Sequence, residues 1–187
     1  MPKDAQTPEH ELLAIRCQLG ESAAFEELVD RWHAPLWQYV RRMADRNELA
    51  DELLQETWLR VLRGIAKLRE PASLVPWMFG IARRVLMDRL RQKYMQAASL
   101  EETLVDGPAT ANAEDDSDLR DEIAHMLHKL ESLAIPQREL LTLYYLDELS
   151  IDEVAQVLGI PVGTVKSRLH SARKVLKQVV LTEKRKP

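Results

Sequence analysis

The sequence predicts an all-α protein: two small helical domains joined by a flexible acidic linker, the second containing a helix-turn-helix. Three observations lead there. Leu, Ala, Glu and Arg are the most frequent residues, while Phe, Trp and Tyr together reach 5% and Gly occurs 6 times, a balance that favours helices over sheets. Apolar residues recur at spacings of three and four in both halves, with no alternating strand pattern and no internal repeat. Between the halves, Glu101, Glu102, Asp106, Glu114, Asp115, Asp116, Asp118, Asp121 and Glu122 face Arg120 alone. A chain of 187 residues that is 45% apolar can bury one mid-sized core or two small ones.

The first stripe is Phe25, Leu28, Val29, Trp32, Leu36, Tyr39, Val40 and Met43, the pattern of a core-facing helix. Pro35 falls inside it and is expected to bend or restart the helix. Asp45 and Glu48 have the spacing of a capping box, ahead of a helix through Leu49, Leu53, Leu54, Trp58, Val61 and Leu62. Gly64 and Pro71 punctuate a short connection. A further helix is expected from about Pro76 to Lys93, with Trp77, Ile81, Val85 and Leu86 inside. These elements make a first domain of residues 9–97.

Residues 98–118 lack apolar periodicity and contain Gly107-Pro108 and the run EDDSD, the composition of a linker extended by its own charge. The second domain, residues 119–182, opens with Leu119, Ile123, Met126, Leu127 and Leu130. Pro136 then starts a helix with Leu140, Leu141 and Tyr144.

Residues 150–176 read SIDEVAQVLGIPVGTVKSRLHSARKVL. Ser150 and Glu153 stand at capping-box spacing, and a short helix with Val154, Ala155 and Leu158 inside ends at Gly159, which supplies the positive φ of a tight turn. Ile160 plugs the turn and Pro161 pre-sets the next helix, which buries Val165, Leu169, Ala172 and Leu176. Its other side shows small, polar and basic residues: Thr164, Lys166, Ser167, His170, Ser171 and Lys174. An ordinary helical hairpin with a solvated basic face is the bland alternative. The turn chemistry and the one-sided charge favour a helix-turn-helix whose second helix suits the major groove.

The formal net charge of −4 conceals segregation. Arg83, Arg84, Arg89, Arg91 and Lys93 close the first domain, and Lys166, Arg168, Arg173, Lys174, Lys177, Lys184, Arg185 and Lys186 oppose Glu183 alone in the last stretch. Two basic patches separated by an acidic strap predict two nucleic-acid contacts and a spacer that avoids phosphate.

GIPVGTVKSRLHSARKVL resembles the −35 reading helix of bacterial sigma factors of the extracytoplasmic-function group. Ala50 to Leu62, ADELLQETWLRVL, resembles their polymerase-binding helix, and Trp77 to Lys93, WMFGIARRVLMDRLRQK, resembles their −10 segment. The resemblance covers nearly the whole chain, in the family's order. It implies a transcription initiation factor whose partners are core RNA polymerase (largest-subunit clamp and flap), promoter DNA and an anti-sigma factor. It further implies that Asp51, Glu52, Gln55 and Glu56 meet the clamp, where carboxylates suit a basic coiled coil. Trp77, Arg83, Arg84 and Arg89 match the −10 segment, with Trp77 reading as a core anchor in preference to a base-stacking ring. Arg84 departs from the family, in which Asn commonly follows the first Arg. In the −35 helix, Thr164 shares the groove side, Lys166, Ser167, His170 and Ser171 match base-facing positions, and Arg168, Arg173 and Lys174 suit phosphate. Ser171 stands where relatives often carry Arg, and Tyr144 where some carry a base-reading Arg.

The competing reading is a conventional helix-turn-helix regulator that binds an operator without polymerase. The basic helix ending in RLRQK beside an acidic docking helix argues against it, because a ligand sensor requires neither. No enzyme is expected, since no Gly-rich phosphate loop and no triad spacing occur. His125 and His128 lie one turn apart without a Cys or clear carboxylate partner, so they read as a half-exposed helix face; no metal and no cofactor is expected. Cys17, the only cysteine, excludes an internal disulfide and reads as a packed small hydrophobe among Leu13, Ile15 and Leu19. The polar start MPKDAQTPEHELL has no signal-peptide run, and no uncharged stretch approaches the roughly 20 residues of a membrane span, so a cytoplasmic protein is expected.

Overall fold

The computed structural model describes residues 7–99 and 129–183, and every regular element among them is helical. The first unit comprises α1 (Thr7–Gln18), α2 (Ser22–Met43), α3 (Asn47–Gly64) and α4 (Leu74–Ser99), with 3-10 turns at Ile65–Lys67 and Pro71–Ser73. The second comprises α5 (Ile135–Leu141), a π-helical turn (Thr142–Leu146), α6 (Ile151–Leu158) and α7 (Val162–Glu183). The start expected for the second domain, up to residue 128 and including His125 and His128, lies outside the described residues. So does the expected linker, except for Ala98 and Ser99, which end α4.

α2 runs unbroken through Pro35, against the expected restart. The proline removes one amide donor, but Leu28 precedes it and Leu36, Tyr39, Val40 and Met43 follow it in one buried face. That continuous burial outweighs a single missing hydrogen bond. The capping box expected from Asp45 and Glu48 does not form. Arg46 is the N-cap and has no side-chain cap bond, so Glu48 stands one position too early to reach back. Asp45 instead accepts from Lys93 Nζ of α4 at 2.5 Å. Cys17 is buried in the first core, and burial pushes its thiol above the ordinary range.

α4 starts before Pro76 and runs beyond Lys93. Its buried residues, Leu74, Val75, Met78, Phe79, Ile81, Ala82, Val85 and Leu86, cover more of its circumference than one partner needs. It has two main partners: α3 on one side and α6 of the second unit on the other.

In the second unit the predicted signals appear as read. Ser150 Oγ accepts from the Glu153 amide at 3.2 Å, and Glu153 Oε2 accepts from the Ser150 amide at 2.7 Å. Gly159 closes α6 at φ 65°. Val154, Ala155, Val165, Leu169 and Ala172 are buried as expected, while Val157 takes the inner place expected for Leu158, which is half-buried.

The two units share one buried apolar cluster where α4 packs on α6, and a polar seam runs beside it. Tyr39 Oη of α2 donates to Glu139 Oε1 of α5 at 2.7 Å, and Arg83 Nε of α4 lies 3.0 Å from the same oxygen. Arg138 Nη1 donates to the Arg42 carbonyl at 2.8 Å, and Arg42 Nη1 lies 4.0 Å from Asp147 Oδ1. Burial raises Glu139 above the usual carboxylate range, against the pull of Arg83 and Tyr39. Burial likewise pushes Asp147 up to about 7, opposed by Arg42 alone.

Ser150→Ala removes the side chain on which the cap of α6 depends and should lower stability by about 1 kcal/mol in thermal unfolding. The pH dependence of folding runs opposite to that of an ordinary ion-paired carboxylate. Because Asp147 binds its proton more tightly in the folded form than its ordinary value of 3.8 allows, stability is fully present below that value. It falls as pH rises through about 7, and Glu139 shifts in the same direction. Unfolding midpoints should therefore drop from pH 6 to pH 8, and Asp147→Asn should flatten that drop.

Candidate nucleic-acid interface

α7 brings one set of predicted residues together. Lys166, Ser167, Arg168, His170, Ser171, Arg173 and Lys174 are exposed and Thr164 is half-buried, while Val165, Leu169 and Ala172 anchor the opposite side. The hydroxyls of Ser167 and Ser171 donate to the carbonyls of Thr164 (3.0 Å) and Ser167 (3.2 Å) of their own helix. Their oxygens therefore stay close to the helix surface as acceptors. Arg173 is held from below: Nε donates to Tyr145 Oη at 2.6 Å, and its guanidinium lies 5.5 and 5.8 Å from the ring centres of Tyr145 and Tyr144. Those rings meet edge to face at 4.8 Å in the π-helical turn. Sequence reasoning does not find this seat; two adjacent tyrosines ahead of a helix-turn-helix are its only trace.

The residues assigned to the −10 segment do not share one exposed face. Trp77 is half-buried and packs against the core. A Cβ on Gly64 would lie 3.1 Å from its Cζ2, so the glycine permits that approach. Arg83 faces the seam and Glu139. Arg84 and Arg89 are exposed. A cleft of about 170 Å³ beside α4 has Met43, Leu53 and Leu86 among its walls and Arg46, Arg89 and Lys93 as its cations. Arg46 carries no sequence signal that singles it out. Gln18 of α1 is equally silent in the sequence; its Nε2 donates to the carbonyls of Ile65 (3.2 Å) and Leu68 (2.7 Å), which ties down the connection into α4.

On α3, Asp51, Glu52 and Gln55 are exposed and Glu56 is half-buried. Asp51 Oδ1 accepts from Trp37 Nε1 at 2.7 Å, and Glu56 Oε1 accepts from Arg60 Nε at 2.8 Å. Beside them opens an apolar cleft of about 350 Å³, lined by Phe25, Leu54, Trp58, Leu59 and Leu62 with His33, Asp51 and Gln55. Leu62, expected from sequence as an inner residue, is 54% exposed, and Leu59 is 41% exposed. The apolar stripe of α3 is wider than its own core can cover, and Leu59 beside Leu62 is the sequence signal for it.

Among the described residues no helix is long and apolar enough to cross a membrane, and no group of three or more His, Cys, Asp or Glu side chains could hold a metal.

Family comparisons match residues 28–94 to sigma-70 region 2 and residues 123–176 to sigma-70 region 4. The chain is 36% identical over 166 residues to the RNA polymerase sigma factor CarQ of Myxococcus xanthus, covering 86% of this chain and 91% of the relative. It is 31% identical over 168 residues to the ECF RNA polymerase sigma factor SigC of Mycobacterium tuberculosis, covering 88% of this chain and 87% of the relative. Two solved structures, each 22% identical, share the fold. CnrH in complex with the cytosolic domain of CnrY has a TM-score of 0.69 over 92% of this chain and 97% of that one. RpoE in complex with the anti-sigma factor NepR from Bartonella quintana has a TM-score of 0.71 over 83% of this chain and 96% of that one. The chain belongs to the extracytoplasmic-function RNA polymerase sigma factors, initiation factors without enzymatic activity that direct the polymerase to promoters.

Proposed function

We propose that three surfaces divide the work of this cytoplasmic sigma factor. α3 docks on the clamp of the polymerase largest subunit through Asp51, Glu52, Gln55 and Glu56, with the Leu59–Leu62 cleft taking apolar side chains of the same partner. Carboxylates around an apolar groove suit a helix that is basic on one side and apolar on another. α4 contacts the −10 strand through Arg83, Arg84 and Arg89, with Trp77 as the anchor behind them. α7 lies in the −35 major groove, where Lys166, Ser167, His170 and Ser171 read base edges. Thr164 lines the same side, and Arg168, Arg173 and Lys174 hold phosphates. The domains are residues 9–97 and 119–182, with residues 98–118 as linker.

The observation that carries this reading is α7 itself. Its helix-turn-helix geometry is fixed by the Ser150 cap and the left-handed Gly159, and Lys166, Ser167, Arg168, His170, Ser171, Arg173 and Lys174 are all exposed opposite its buried stripe. A protein inhibitor of the anti-sigma class completes the proposal. Its support is the fold shared with RpoE, solved with the anti-sigma factor NepR, and with CnrH, solved with the cytosolic domain of CnrY.

Docking is tested by Glu52→Lys with Gln55→Lys. Both side chains are exposed, so thermal unfolding should hold while affinity for core polymerase falls by about tenfold or more. Unchanged co-purification would remove α3 as the docking face. The −35 assignment is tested in holoenzyme on promoters varied only at −35 and titrated across salt. Lys166→Ala should cost roughly 1–3 kcal/mol on preferred sequences only. Lys174→Ala should weaken all promoters alike and reduce the salt slope by about one. If the two variants exchange these behaviours, α7 sits in the groove with Lys174, and not Lys166, turned to the bases.

A further inference from the structure

Two ways of holding an arginine occur in this chain. Arg16 is held by Glu21 and Glu27, and Arg60 by Glu56 and Asp88, so each has its charge answered within the fold. Arg173 is held by neutral groups: Nε donates to Tyr145 Oη at 2.6 Å, and the guanidinium lies 5.5 Å from the Tyr145 ring centre. Among the described residues no carboxylate pairs with it. An exposed cation whose direction is set and whose charge is unanswered suits an anion from outside the chain.

The π-helical turn builds the seat. The Asp147 amide donates to the Thr142 carbonyl five residues back, at 2.9 Å. Consecutive side chains of an α-helix diverge by about 100°, and a wider turn lessens that angle, so Tyr144 and Tyr145 keep edge-to-face contact while both face Arg173. A guanidinium accepts no hydrogen bond, so the Tyr145 hydroxyl, already accepting from Nε, cannot turn its own hydrogen back on Arg173. Tyr145 is 51% exposed, and its oxygen has no further partner among the described residues. Arg173 follows Lys166 by seven residues, about 10 Å along the axis of α7 and about 20° round. A recognition helix meets base edges with its first turns, so a later residue on nearly the same side meets the wall of the groove, where the phosphates run.

We propose that Tyr145 completes a phosphate site on the flank of α7. Its oxygen positions Arg173 through Nε, its hydrogen donates to one non-bridging oxygen of a −35 phosphodiester, and the terminal nitrogens of Arg173 take the other. The site rests on the phosphate role proposed for Arg173. It makes the turn before the helix-turn-helix a DNA contact in its own right, with no charge beyond that of Arg173.

The test uses holoenzyme on promoter duplexes in which one −35 phosphate at a time is replaced by a neutral methylphosphonate, with affinity titrated across salt. Tyr145→Phe keeps the ring beneath the guanidinium and should leave thermal unfolding unchanged. It should weaken binding about fivefold whatever the −35 sequence. The salt slope should hold, because no charge is lost, whereas Arg173→Ala should lower it by about one. At one phosphate, the methylphosphonate should weaken the unaltered protein clearly more than either variant. A Tyr145→Phe protein with the affinity and phosphate profile of the unaltered one would overturn the site. So would a loss of affinity that leaves every methylphosphonate effect unchanged, since Tyr145 would then act on the fold alone. If Arg173→Ala silences one phosphate and Tyr145→Phe does not, the role of Arg173 stands and Tyr145 has no part in it. If Arg173→Ala alters neither the slope nor the profile, that role falls and the site with it.

Discussion

The burial of α4 governs where this molecule can be charged. Leu74, Met78, Ala82 and Leu86 follow one another at four-residue steps, and Ile81 and Val85 lie about a quarter-turn round from that line. α3 and α6 cover most of the apolar faces of α4. Arg84 and Arg91 share one exposed side, and Arg89 emerges about 140° round from Arg84, beside the cleft with Leu53 and Leu86. Arg83, half-buried, faces the second domain, where a cation must find an anion, and Glu139 is that anion. The same helix therefore builds the first core, supports the second domain and leaves its basic side chains to emerge on the sides that this packing does not cover.

A chain with an overall charge of −4 can meet DNA because its charges are sorted by helix. α3 offers carboxylates around an apolar cleft, α7 offers cations and hydroxyls opposite a buried stripe, and the two lie in different domains. Long-range repulsion between the acidic face and phosphate is screened beyond roughly 8–10 Å at physiological salt, so each surface addresses its partner locally.

What could be read from sequence was local. The Ser150–Glu153 cap, the left-handed Gly159 and the three-and-four spacing of Val165, Leu169 and Ala172 are determined by residues within a turn or two of one another, and all appear as expected. The composition of α7 likewise disclosed a polar face. The failures have another origin. Pro35 is tolerated because of packing on both sides of it, and Asp45 is drawn to Lys93, 48 residues away. Glu139 pairs with Tyr39 across 100 positions. Nothing in the neighbourhood of Glu139 marks it as buried, since a Glu in a helix after Pro136 looks solvated until its partner helices are in place. Leu62 errs in the opposite direction: an apolar residue in an apolar stripe is expected in a core that has no room for it.

The seat of Arg173 has a consequence for its chemistry. A guanidinium has five N–H groups, and here the one on Nε is committed to the Tyr145 hydroxyl while the plane rests near two rings. Whatever approaches from outside meets the two terminal nitrogens and their four hydrogens, presented as one end of a plate whose tilt is already fixed. A lysine at this position would keep the charge and lose the plate: its ammonium has no second edge to anchor, and each of its donors would have to choose between the tyrosine and the visitor.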